Sequence, residues 1–492
     1  MLRPWDIHIR LRRSSQTPMY LQIVHALINE IRRGRLGSGA ALPGSRELAE
    51  SLNVNRKTVV QAYAELAAQG WVLTEATRGT FVSAQLPTVE STDRDAAPGR
   101  IPDVPEFRVL GGAPRIPVVL PEPGTLVFDD GAPDSRDVPI AALARAYRRA
   151  LWKLSRRGAL NYGDPRGQAL LRAAVSSMLN LDRGLSTTAD QVCITRGSQM
   201  AIFLIARILA ERGDTVVLEE LSYQPAHESF RAAGAEVIAA GLDGAGLRVE
   251  ELEAICRRRR VRAVYLTPHH QFPTTVLMPP DRRLKLFALA AQFGFAIVED
   301  DYDHEFHFAH QPMLPLASAD PYGRVVYIGS MSKLLSPSLR LGYVAAPTAV
   351  IDRMAAEITM IDRQGDPAIE VAVAELIELG ELHRHTRKVL QRYRERRALM
   401  AQLLGDAFDD RVTFTLPDGG LAVWLRFDAG VDLTQLAQLA RAERVQFMPS
   451  AGFSVNARPV PGLRLGFASL NETELRRAVQ RLDAAYRRLA LN

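Results

Sequence analysis

The sequence predicts a multidomain fold: a large α/β body ending in a smaller α+β subdomain, preceded by a small α+β head. Three observations lead there. A chain of 492 residues with ordinary composition is long enough for about three domains. After about Thr125, helical stretches alternate with the apolar runs QVCIT, TVVLEE, VRAVYLTP, FAIVED and RVVYIGS, the pattern of a largely parallel sheet wrapped by helices. Ahead of this body, eight of the chain's 29 prolines fall within residues 85–124 without helical or strand periodicity. Such a stretch reads as an extended, semi-rigid linker. The expected domains are therefore a head at 1–84, a linker at 85–124 and a body at 125–492, with the small subdomain from about residue 370.

Charge separates the first and last of these. Residues 1–84 hold 11 Lys+Arg against 6 Asp+Glu, so +5 of the chain's +6 lies there and the other 408 residues are nearly neutral. A basic head on a neutral body fits a nucleic-acid-binding module joined to something that handles another ligand. Cys193 and Cys256 are too few for a disulfide framework or a zinc cluster, and suit the cytoplasm. The opening MLRPWDIHIRLRRSS interleaves charges with apolar residues, and no stretch offers eighteen uninterrupted apolar residues, so neither a leader nor a membrane partner is expected.

In the head, Leu21, Val24, Ile28 and Ile31 have helical spacing, and Gly34 should end that helix. Ser45 is a candidate cap for a short helix to about Leu52. A polar turn at Asn53 and Asn55 then leads into a second helix with Val59, Ala62 and Leu66 on one face. WVLTEATRGTFV reads as a hairpin whose turn holds Arg78 and Gly79. This is a winged helix-turn-helix. Its second helix would enter the major groove with Arg56, Lys57 and Thr58, after the cap candidate Asn55, facing bases and phosphates of double-stranded DNA. Arg46 and Arg78 would extend the contact along the backbone. Over residues 16–82 the segment resembles the winged helix of the GntR family of bacterial transcription regulators, on LPGSRELAESLNVNRKTVVQAYAELAAQGWV and the glycine-bearing wing RGTFV. Val60 stands where many members place another basic residue.

The body's chemistry starts from GSMSKLLSPSLRLGY, residues 329–343. A lysine that condenses with an aldehyde needs a cramped, partly desolvated setting, and the serines around Lys333 supply room and hydrogen bonds. If the aldehyde is pyridoxal 5′-phosphate, the site also needs an anion clamp, a carboxylate against the ring nitrogen and an aromatic face. Arg340 suits the phosphate. TRGSQMAIFLIA passes from a strand end into a helix whose first amides, at Ser198 and Gln199, could hold the same group. In FAIVEDDYDHEF, Asp300 and Tyr302 sit at a strand's carboxyl edge, suited to the ring nitrogen and ring hydroxyl. Tyr223, after another strand, could stack on the ring. Singly, each has a bland reading as surface, helix cap or packing; their joint occurrence, in order and on suitable elements, favours the site.

From about residue 125 the chain looks like a fold-type-I pyridoxal-phosphate protein of the aminotransferase kind, and with its head it resembles the MocR subfamily of GntR regulators. The matching pieces are NYGDPRGQALLRAAV, TRGSQMAI, TPHHQFPTT, VEDDYDHEF, GSMSKLLSPSLRLGY and PGLRLGF. The resemblance implies covalent attachment of the cofactor at Lys333, with Asp300 at the pyridinium, Tyr302 at the ring hydroxyl, and Ser198, Gln199, Ser330 and Arg340 at the phosphate. It also implies a head-to-tail homodimer in which Tyr162 reaches the neighbouring subunit's phosphate, and an Arg464 that binds the α-carboxylate of an amino-acid-like effector. Two positions depart from the family's pattern. Thr275 closes HQFPTT where a glycine is usual, and Pro225 lies near where some members carry a second arginine.

The leading expectation is a transcription regulator that senses pyridoxal phosphate, an amino compound, or both. The alternative is a working aminotransferase with a secondary head, since every group a half-transamination needs has a candidate. A third is a body that only dimerises the heads. Helices of the body could recruit RNA polymerase or block it, and residue types leave both open.

Overall fold

In the computed structural model, which describes residues 9–15, 17–75, 77–86, 104–105, 107–109, 120–308, 313–428, 430–448, 450–458 and 460–491, the head's first helix runs Met19–Arg32 and ends ahead of Gly34, whose φ is +74°. Its buried face is Ile23, Val24, Leu27 and Ile31. Leu21 and Ile28, expected on that face, are half-buried at its margin, because Ile23 and Leu27 centre the stripe between them. Helices Ser45–Leu52 and Arg56–Ala68 follow, separated by Asn53 in the left-handed region at φ 50°. Ser45 does not cap. It is the first helical residue after Gly44, and its hydroxyl accepts from Arg56 Nε at 3.2 Å. Asn55 does cap, accepting from the Lys57 amide at 2.9 Å. Strands Val72–Glu75 and Gly79–Val82 form the antiparallel wing. Leu27, Leu48, Val59, Leu66, Trp71 and Val82 close a core made only of head residues, each such burial contributing about 1.5–3 kcal/mol.

The chain divides into two compact units, Met1–Gly111 and Gly112–Asn492. Most of the expected linker lies outside the described residues. In the second unit, seven strands form one sheet in the order Val192–Thr195, Gly342–Ala345, Val325–Ser330, Ala296–Asp301, Val261–Leu266, Thr215–Glu219, Glu236–Ala240. All neighbours are parallel except Gly342–Ala345, which is antiparallel to both of its own. Alternate residues serve opposite layers. Cys193, Val298, Ile328 and Val344 pack under the helices Ser198–Leu209 and Thr348–Ile361, while Val192, Ile194, Tyr327 and Tyr343 pack under Ala169–Arg183. Both cysteines are free and buried. Among the described residues no helix is long and apolar enough to cross a membrane.

The charged helical region expected from about residue 370 is two helices broken at Gly380, φ +66°. Pro367–Glu378 buries Val371, Ala372 and Leu376 against the helix Ile140–Arg156, beside the large sheet. The C-terminal layer gathers its core from Tyr393, Phe408, Leu425, Phe427 and Leu463 around the antiparallel strands Val412–Phe414, Ala422–Phe427 and Gly462–Gly466. Phe128 joins it, because Leu126–Phe128 pairs in parallel with Val445–Phe447. Short parallel pairing between the body's first strand and a late one leaves no local signal.

Candidate functional site

Two regions concentrate polar groups. On the head, Arg46, Asn55, Arg56 and Lys57 are exposed and Thr58 half-buried, so the start of helix Arg56–Ala68 presents three consecutive polar side chains. Arg78 and Gly79 sit at the wing tip, where Gly79 takes φ +114°. Arg78 pairs with Glu75 at 2.9 Å and lies over Phe81. Val60 is 48% exposed on the same helix, an apolar interruption of this face.

In the body, a cavity of about 190 Å³ opens at the carboxyl edge of the sheet. Ser198, Gln199, Tyr223, Asp300, Tyr302, Ser330, Lys333 and Arg340 all line it, joined by Asp130, Thr267, Phe272 and Ser332. The strand ends explain the convergence: Asp300 lies near the end of Ala296–Asp301, Ser330 ends Val325–Ser330, and Ser198 opens the helix after Val192–Thr195. Two glycines make the anion end. A Cβ on Gly197 (φ +79°) would lie 2.8 Å from the Arg340 guanidinium, and one on Gly342 would lie 2.8 Å from the Ser198 amide nitrogen. The guanidinium thus rests across the helix start, donating to the Arg196 carbonyl at 3.0 Å, with the first helical amides beside it.

At the other end, Tyr265 donates to Asp300 Oδ2 at 2.7 Å, while Oδ1 is buried without a partner. Burial pushes the Asp300 carboxyl up to about 7. An orphaned, desolvated carboxylate oxygen in a cavity calls for a cationic N–H, which a pyridinium supplies, so the residues present fit pyridoxal phosphate. Lys333 Nζ lies 3.5 Å from Asp130 Oδ1, and that ammonium, with Arg464, holds the Asp130 carboxyl below the usual range. Tyr223 donates to Gln199 Oε1 at 3.1 Å and meets Phe272 edge-on.

The remaining expected residues stand apart from the cavity or are already engaged. Tyr302 donates to the His270 carbonyl at 2.9 Å and accepts from Arg464 at 3.2 Å. Arg464, 1% exposed, also donates to the carbonyls of Asp130 and Pro273 and lies over Phe272, behind the cavity wall. Tyr162 is 73% exposed under Arg363 and does not join the cavity. Thr275 takes φ +66°, a left-handed conformation that disfavours β-branched residues and that glycine would adopt freely. Pro225 lies in the first turn of helix Gln224–Ala232, where its missing N–H is harmless.

Asp130, Tyr265 and Thr267 were missed. Tyr265 and Thr267 flank the end of Val261–Leu266, so the strand-edge rule applied to Asp300 would have found them; Asp130 follows a three-residue strand with no sequence signature. Behind Asp300 lies a histidine-rich layer of His269, His270, His304 and His307, with His270 bonded to Asp303 at 2.7 Å. Burial lowers His269 to about 3 and His307 to about 2, leaving neutral imidazoles.

Comparison with known proteins follows this division. Residues 126–482 match aminotransferase class I and II, and residues 19–82 match bacterial regulatory proteins of the gntR family. The chain is 28% identical to the probable rhizopine catabolism regulatory protein MocR of Rhizobium meliloti over 477 residues, covering 97% of this chain and 95% of that one. It is 30% identical to the HTH-type transcriptional regulator TauR of Rhodobacter capsulatus, covering 92% and 93%. The crystal structure of LysN, an α-aminoadipate aminotransferase from Thermus thermophilus complexed with N-(5′-phosphopyridoxyl)-L-leucine, superposes with a TM-score of 0.70 at 30% identity, over 75% of this chain and 94% of that one.

Proposed function

The chain belongs to the aminotransferase class I and II family and carries a gntR-family domain at its head; from that premise we propose that the body senses pyridoxal phosphate, an amino compound, or both, and transmits occupancy to the head. The protein is a DNA-binding transcription regulator of the MocR kind whose cofactor is pyridoxal phosphate. When bound, this cofactor supplies an aldehyde that condenses with amines and a ring that withdraws electrons.

The chain's own groups then have distinct tasks. Asp300 Oδ1, buried without a partner, would accept the ring N–H, and that cation would keep the carboxylate ionised. Arg340, Ser330 and the amides of Ser198 and Gln199 would hold the phosphate dianion, and Tyr223, fixed by Gln199, would offer its face to the ring. Lys333 supplies the resident amine, with Asp130 beside it to take up its charge. Tyr302 would serve the ring hydroxyl and Arg464 the carboxylate of an amino-acid-like effector, each exchanging a present hydrogen bond to do so. A ligand alters DNA binding only if it prefers one arrangement of heads and bodies. A head-to-tail homodimer provides two such arrangements, with Tyr162 of each body reaching its neighbour's phosphate site. Two heads read two half-sites, and the bodies recruit or block RNA polymerase.

One observation carries the reading: eight residues drawn from separate stretches between 198 and 340 line one cavity. The test is an absorbance spectrum before and after borohydride, beside Lys333→Ala, followed by titration of amino compounds against operator affinity. A band near the visible edge that borohydride abolishes and the variant lacks, with operator affinity that moves on titration, is expected. No band after addition of pyridoxal phosphate overturns the sensor. Turnover with an α-keto acid and no sequence-selective DNA binding would return the protein to the aminotransferases.

A further inference from the structure

Immediately past Asp300, three imidazoles converge where neither the cofactor cavity nor the head uses them. His304 and His307 lie in the turn after strand Ala296–Asp301, and His269 lies in the loop after Val261–Leu266. One ring nitrogen from each stands within 4.8 Å of the others. Ring centroids are 4.9 Å apart for His269 and His304, 4.9 Å for His269 and His307, and 5.0 Å for His304 and His307. A tetrahedral zinc ion with Zn–N bonds of about 2.0–2.1 Å places the centroids of two imidazole ligands about 5 Å apart. None of the pairs is stacked; the planes are inclined at 50°, 65° and 89°.

His269 Nδ1, His304 Nδ1 and His307 Nε2 are all buried without a hydrogen-bond partner, and so is Asp301 Oδ1. Each such group costs on the order of 1–3 kcal/mol; on His269 and His307 they are the ring nitrogens opposite the pair that face each other, so they are not the atoms that would meet an ion. His269 Nε2 and His307 Nδ1 face each other at 3.5 Å, a separation set by two lone-pair donors around a common centre as readily as by a weak hydrogen bond. His304 Nδ1 stands 2.9 Å from Asp301 Oδ2, in off-line geometry for a hydrogen bond, which brings a carboxylate beside the trio. Three imidazoles with a carboxylate nearby make a borderline donor set that selects a divalent transition ion over magnesium or calcium.

We infer that His269, His304 and His307, with Asp301 as the adjoining carboxylate, form a site for a divalent transition-metal ion of the zinc kind. The ion would join two loops at the sheet's carboxyl edge. It would also tie them to the C-terminal layer, because His307 forms a β-bridge with Gly419 and a Cβ on Gly419 would lie 2.3 Å from His270. It is thus a structural staple beneath the cofactor cavity rather than part of it.

The test uses the untagged full-length chain, stripped with chelator and titrated with Zn²⁺ against a chromophoric competitor, and separately with Co²⁺ read in the visible. Expected are a single Zn²⁺ per chain, an intense tetrahedral Co²⁺ spectrum, and affinity lost in His304→Ser and in His307→Gln by more than the roughly 100-fold that removal of an outer partner produces. His307→Gln changes a half-buried residue and His304→Ser a buried one, and the Co²⁺ spectrum of the unaltered chain needs neither variant. Zn²⁺ uptake that survives both substitutions, or Co²⁺ that keeps the weak spectrum of the hydrated ion, overturns the site.

Discussion

In the head, Arg56, Lys57 and Thr58 are consecutive residues at one helix start, carried outward by a core of the head's own; in the body, Ser198, Tyr223, Asp300 and Lys333 are scattered along the chain and turn inward to one cavity. The difference sets how each region fails. A head side chain acts singly against a flexible polyanion, so its loss is graded. A body side chain shares one cavity with twelve others, so one misplaced atom disturbs its neighbours.

The largest effect should therefore come from a single methyl group. Gly342→Ala would place its Cβ 2.7 Å from the Gly197 carbonyl carbon and 2.8 Å from the Ser198 amide nitrogen, backbone on both sides. We expect loss of cofactor retention by the absorbance assay while the isolated-site DNA contact of the head keeps its salt dependence. A variant that retains the cofactor would show that the anion end is not built from this close approach. Next, Asp300→Asn should split two readouts. It should weaken pyridoxal phosphate binding on the order of 10- to 100-fold, the equivalent of one charged hydrogen bond. Without cofactor, the folded Asp300 carboxyl titrates near 7 rather than at the usual 3.8, so the folded state holds a proton that the unfolded chain has released. Stability is fully present below the lower value and falls as pH rises through the higher one. The cofactor-free Tm of Asp300→Asn should fall less between those values than that of the parent; equal slopes would mean that Asp300 is not desolvated.

Head substitutions should be smaller and should leave the spectrum untouched. Arg56→Ala should weaken operator binding by about 1–3 kcal/mol and relax selectivity at one base pair, read by binding to a panel of single-base variants. Lys57→Ala should weaken all sequences alike and reduce the salt slope by about 1. Arg78→Ala should do least, since its guanidinium is already paired with Glu75. If any of these altered the cofactor band, the two regions would not be separable in the way described.

The same contrast governs what was legible from sequence. Local spacing was enough for the head: helices, turn, the Asn55 cap and the wing are all short-range features. It misplaced Ser45 as a cap because a serine before a helical run looks the same whether it sits outside the first turn or inside it. In the body, five largely apolar runs marked five strands, but Glu236–Ala240, half-buried over much of its length, and Gly342–Ala345, hidden inside the lysine-bearing segment, passed unmarked. Asp300, Tyr302 and Tyr223 were found at the ends of recognised strands, whereas Tyr265 and Thr267, at the end of another recognised strand, were passed over. Asp130 and the long-range pairing behind it were missed too, because nothing in residues 126–128 announces a partner more than three hundred positions away.

That pairing has a mechanical meaning. Thr125 begins the body, and five residues later Asp130 offers its carboxylate to Lys333 and its carbonyl to Arg464. Between them, Leu126–Phe128 is sewn into the C-terminal layer through Val445–Phe447. Lys333 and Arg464 thus both meet the stretch of backbone on which the body begins. A change at either side chain would therefore be felt first where the body begins, on backbone already pinned to the C-terminal layer.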